Sequence, residues 1–110
     1  MAQESASPDR KQLVCTIDEA LQGTTISLQG RITGPAVQGR YNMRVRKIGS
    51  GGSSDITQGG EFRVEPGVDA RLGRVGLGLE QGARYEAVLT LTVDSHTYTC
   101  EAFGPGPRPL

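Results

Sequence analysis

A single histidine and only two cysteines leave this 110-residue chain without the three or four convergent ligands that a metal site needs. The histidine, His96, follows Asp94 and Ser95 directly, but neighbours on an extended chain point to opposite sides, so these three cannot form a Ser-His-Asp triad by themselves. Glu61 and Glu65 fall in phase on one strand, where solvated surface charge is the ordinary reading and a glycosidase pair the remote one. No enzyme and no cofactor is expected. Long apolar runs are also missing: nothing resembles a signal-peptide core or a membrane span, so membrane insertion is not expected. Twelve basic residues balance twelve acidic ones, which argues against nucleic-acid binding by bulk electrostatics. Without tryptophan and with two phenylalanines, the core of the single domain that this length allows has to be built from aliphatic residues.

Helical spacing is absent as well, and what replaces it is alternation at period two. Leu13, Cys15 and Ile17 form a first inward set, Ile26, Leu28 and Ile32 a second, and Tyr41, Met43 and Val45 a third. Phe62 and Val64 make a short fourth, Val75, Leu77 and Leu79 a fifth, and Tyr85, Ala87, Leu89, Leu91 and Val93 a sixth. After a tight turn at Asp94-Ser95, Tyr98 and Cys100 mark a seventh. Seven short strands with turn signals between them predict an all-β, seven-stranded antiparallel sandwich over residues 12–103. Residues 1–11 read as a disordered tail and 104–110, rich in glycine and proline, as a flexible one. Met1 ahead of Ala2-Gln3-Glu4-Ser5 reads as a start codon added to a processed N-terminus.

The glycine-rich segment from Gly49 to Gly60 raises the question of a phosphate cradle. It has no lysine at the Walker position and no helix after it, so a shaped crossover between sheets is the expectation. For Cys15 and Cys100 two readings stand, a disulfide and a pair of buried free thiols. Both cysteines share the phase of inward residues near opposite ends of the domain, which favours the bridge and with it an oxidising compartment.

No acidic residue occurs from Ala20 to Ser54, a stretch that carries Arg31, Arg40, Arg44, Arg46 and Lys47. If residues 40–47 form a strand, Arg40, Asn42, Arg44 and Arg46 share its outer face, with about 20 Å between the first and last. Guanidinium groups so placed suit an acidic or amide-rich polypeptide. The plainer alternative is that an exposed strand face is polar in any case.

The run from Ser50 through Gln58-Gly59-Gly60-Glu61-Phe62, with the basic strand before it and Leu72-Gly73 and Tyr85 to Leu91 after it, resembles the CsgC-like family of curli-associated proteins, and within it the CsgH branch. The similarity spans about residues 13–101. It implies an immunoglobulin-like sandwich in the bacterial periplasm that keeps a curli subunit, or a similar amyloidogenic polypeptide, from nucleating fibres. It further implies a basic inhibitory surface, which falls here on Arg40, Arg44 and Arg46, with Lys47 beside them and Asn42 on the same face. The CsgC branch carries a Cys-x-Cys pair that this sequence lacks, so no thiol oxidoreductase is implied. The expected protein is a monomeric anti-amyloid chaperone. The rival expectation is an adhesive immunoglobulin-like module with no effect on fibres.

Overall fold

The computed structural model describes residues 13–49 and 51–105. Seven strands follow one another: β1 (Val14–Gln22), β2 (Thr25–Thr33), β3 (Val37–Gly49), β4 (Gly52–Val64), β5 (Ala70–Gly78), β6 (Arg84–Val93) and β7 (His96–Gly104). They form two antiparallel sheets, one ordered β1-β2-β5 and the other β4-β3-β6-β7. This is the expected immunoglobulin-like sandwich. The tail at residues 1–11, and all of the C-terminal tail but Gly104 and Pro105, lie outside the described residues.

The alternation that predicted the strands also fills the interior. Ile26, Leu28, Ile32, Met43, Val45, Phe62, Val64, Val75, Leu77, Tyr85, Ala87, Leu89 and Leu91 belong to one buried cluster, while Leu13, Cys15, Ile17, Tyr41, Val93, Tyr98 and Cys100 pack partly buried at its margin. The tight connection at Asp94-Ser95 is a hairpin between β6 and β7, and Asp94 takes the left-handed φ of 56° that such a turn requires.

The glycine-rich segment does not cross between sheets. Apart from the turn itself, it is the first part of β4, a 13-residue strand paired with β3 from Gly49↔Gly52 to Val37↔Val64. The expected short strand at Phe62 and Val64 is only its end. Its inward positions run Ile56, Gln58, Gly60, Phe62 and Val64, so a polar residue and a glycine stand where the pattern calls for apolar ones. Gln58 uses its place to reach the other sheet: its Nε2 donates to the Arg74 carbonyl at 2.8 Å and its Oε1 accepts from the Arg74 N–H at 3.0 Å. Gly60 leaves the room that the Tyr41 ring fills, since a Cβ there would lie 3.3 Å from that ring.

On the opposite open side, Cys15 of β1 and Cys100 of β7 form a disulfide with their Cα atoms 5.9 Å apart. Farther along the same side the Tyr85 hydroxyl of β6 donates to Glu19 Oε1 of β1 at 2.7 Å. The two sheets are therefore tied along both open sides, by the bridge and Tyr85 on one and by Gln58 on the other. Replacing Gln58 by alanine is expected to cost about 1 kcal/mol, because two hydrogen bonds are lost while Arg74 regains water. A urea unfolding curve reads this as a lower midpoint at constant slope.

Burial first, and then the bond to Glu19, push the Tyr85 phenol well above the usual tyrosine range. The unfolded chain loses this proton near pH 10 and the folded one only at higher pH, so the contribution is complete below pH 10 and declines as pH rises beyond it. Denaturant titrations at pH 9 and pH 11 are expected to show a loss of stability that Tyr85→Phe makes smaller.

Candidate functional site

The outer face of the four-stranded sheet is the surface on which the sequence placed its candidate residues. Arg40, Asn42, Arg44 and Arg46 of β3 are all exposed there, because the intervening Met43 and Val45 are fully buried. The strand cannot turn without exposing that core, so the three guanidiniums are held on one side by the packing beneath them. Lys47 is not with them. It falls in the inward phase, and its Nζ lies 2.9 Å from Glu80 Oε1 in the connection after β5. That bond is the leading reason the Glu80 carboxyl titrates below its ordinary range.

Register decides what surrounds the arginines. Across β4, Arg40 faces Glu61, Arg44 faces Thr57 and Arg46 faces Asp55; across β6, Arg44 faces Val88 and Arg46 faces Glu86. Glu101 of β7 lies opposite Val88. A stretch free of acid in the sequence thus becomes a positive central line between strands that carry carboxylates, not a uniformly basic patch. The fifth basic residue of that stretch, Arg31, is on the other sheet altogether, where its guanidinium grips Asp18 at 2.8 and 3.2 Å and approaches Asp69 at 3.7 Å. Asp18 titrates low chiefly because of that bond.

The ion pairs on the candidate face are loose. Arg40 approaches Glu61 at 3.7 Å and Arg44 approaches Asp55 at 3.8 Å, each with both side chains well exposed. Among the described residues Arg46 has no carboxylate within 4.0 Å. Exposed pairs of this kind contribute about 0–1 kcal/mol, so Asp55 and Glu61 yield readily to a competing anion or amide. Between the charged rows, Asn42 lies opposite Gly59 on one side and Thr90 on the other, with Thr99 beyond. Gly59 contributes no side chain, and the hollow that results, about 380 Å³, opens between Arg40, Asn42, Thr90 and Thr92. This shallow floor of small polar groups flanked by guanidiniums is open enough for an extended chain to lie across it.

A second group of arginines escaped the sequence reading. Arg71 and Arg74 of β5 are exposed on the three-stranded sheet, Arg71 opposite Arg31 and Arg74 opposite Gln29. They lie in the half of the chain where acids outnumber bases, and only the pairing of β5 with β2 places them beside Arg31. No group of three or more His, Cys, Asp or Glu side chains is arranged to hold a metal among the described residues. His96 is exposed at the start of β7.

A family model described as CsgH protein matches residues 14–103. Among solved structures the chain is similar to CsgH of R. palustris, a solution structure, at 32% identity and a TM-score of 0.69, covering 82% of this chain and 90% of that one. It is also similar to the E. coli curli protein CsgC at 18% identity and a TM-score of 0.69, covering 86% of this chain and 100% of the other, a likeness of fold alone. No curated protein matches the chain.

Proposed function

The chain belongs to the CsgH family, and from that premise we propose that it is a chaperone-like inhibitor of curli subunit fibre formation in the periplasm. The observation that carries the proposal is the exposure of Arg40, Arg44 and Arg46 on one rigid sheet face, with ion pairs too loose to hold them against a competing partner. Family membership and the name of the related E. coli curli protein support the curli client. The Cys15–Cys100 bridge supports an oxidising compartment.

The proposed mechanism is transient electrostatic contact. Fibre nucleation requires extended segments from several chains to align and exclude water. A contact that captures one chain briefly therefore delays nucleation at low inhibitor ratios. Charge attraction speeds such encounters without a large apolar interface. The outward charges of the edge strand β4, Asp55, Glu61 and Arg63, also oppose pairing of that edge with a fibre end.

The test is the fibrillation lag of the curli major subunit with substoichiometric amounts of the purified domain. A lag lengthened well below one inhibitor per client supports the proposal. A stable one-to-one complex with no change in lag identifies the adhesive module instead. Raising salt from 0.1 M to 1 M, which shortens the Debye length from about 10 to about 3 Å, is expected to weaken the inhibition progressively.

A further inference from the structure

The ladder between β2 and β5 leaves a defined set of backbone groups without partners. The Leu79 N–H donates to the Thr24 carbonyl at 2.7 Å, and in an antiparallel pair the bonded positions alternate. Leu77 and Val75, opposite Ile26 and Leu28, therefore bond toward β2, while Gly78, Gly76 and Arg74 turn their N–H and C=O groups away from it. The structure shows what such a group accepts. At Arg74 both are taken by the Gln58 carboxamide, at 3.0 and 2.8 Å, one donor and one acceptor as the next strand would supply. At Gly76 and Gly78 nothing does this among the described residues, since β5 pairs with β2 alone.

The approach to these groups is open. Both glycines are exposed, and a Cβ on either would meet nothing within 4 Å. The other edges are obstructed: β1 and β7 are joined by the disulfide, β7 runs into Pro105, and β4 carries Asp55, Glu61 and Arg63 on its outer side. On the same face as the glycines, Arg71 and Arg74 are exposed with no carboxylate within 4.0 Å among the described residues, and the Arg74 Nε reaches only the Ser27 hydroxyl at 3.3 Å.

We propose that the Gly76–Gly78 end of β5 binds an extended polypeptide segment by antiparallel strand addition. The segment carries bulky side chains over the two glycines and a carboxylate beside Arg74 and Arg71. Its backbone completes at Gly76 and Gly78 the pairing that Gln58 provides at Arg74. Aromatic residues opposite edge glycines cover backbone that the glycines leave bare, and the unpaired guanidiniums select acid at the end of the segment that reaches them. This site lies on the sheet opposite the β3 face, and it stands whether or not that face contacts a client.

The test is an NMR titration of the isotope-labelled full chain with the blocked heptapeptide Thr-Tyr-Thr-Tyr-Thr-Glu-Thr at millimolar concentration. Saturable shifts and slowed amide exchange are expected at Gly76 and Gly78. A peptide N-methylated at both tyrosines keeps every side chain but lacks the two donors, and is expected to bind about tenfold more weakly. Gly76→Pro removes a donor that β2 does not use, so it is expected to abolish binding and preserve the melting temperature. Equal binding by the N-methylated peptide, or shifts confined to other strands, would overturn the inference. Shifts at the same glycines on concentrating the protein alone would also overturn it, assigning the edge to a second copy of the chain.

Discussion

Reduction of the Cys15–Cys100 bridge, or its replacement by two serines, is expected to lower the melting temperature by about 15–30 °C. The bridge spans 85 positions, and in the chain-entropy model the loss of a loop of that size costs about 4 kcal/mol. For a domain of this length each kcal/mol moves the midpoint by about 4–8 °C. Position adds to the effect, because the bridge joins the outermost strands of both sheets on one side. With it gone, the Tyr85–Glu19 hydrogen bond remains as a polar tie there. Calorimetry with and without reductant checks this, and a shift below about 5 °C would mean that packing alone holds β1 against β7.

Reversing two charges at the centre of the candidate face is the second large effect expected. Arg44→Glu with Arg46→Glu is expected to raise the amount of protein needed for a given fibrillation delay by about tenfold to a hundredfold. Each lost attraction and gained repulsion is worth on the order of 1 kcal/mol at an exposed site, and 1.4 kcal/mol is tenfold. The Arg46→Glu change sets a third carboxylate between Asp55 and Glu86, so some loss of stability accompanies it. Arg44→Gln with Arg46→Gln separates the two effects. It removes the attraction without placing like charges across the strands, and is expected to retain the wild-type melting temperature while losing most of the delay.

Strand order within the chain was readable because apolar residues recur at period two in six of the seven strands, as in Ile26, Leu28 and Ile32 or in Tyr85 to Leu91. The phase of Cys15 and Cys100 likewise told where their side chains point. Two features were hidden for physical reasons. β4 begins at Gly52, but its inward positions hold Gln58 and Gly60, whose tasks are to reach Arg74 across the sandwich and to admit the Tyr41 ring. A pattern of apolar residues cannot signal either task. The charge of the candidate face was hidden because it depends on cross-strand register. Asp55, Glu61 and Glu86 are remote from Arg46 and Arg40 in the sequence, or fall outside the acid-free stretch, and become their neighbours only when β4 and β6 flank β3. Lys47 followed its neighbours in sequence but not in space, since one residue along a strand reverses the face.

Contact between the β3 face and the client can be mapped directly by recording amide shifts of the labelled domain as monomeric curli major subunit is added before fibres form. The first and largest shifts are expected at Arg40, Asn42, Arg44 and Arg46 and at the flanking Thr57 and Thr90, fading as salt is raised. Shifts that leave β3 untouched, or that persist undiminished in high salt, would contradict it.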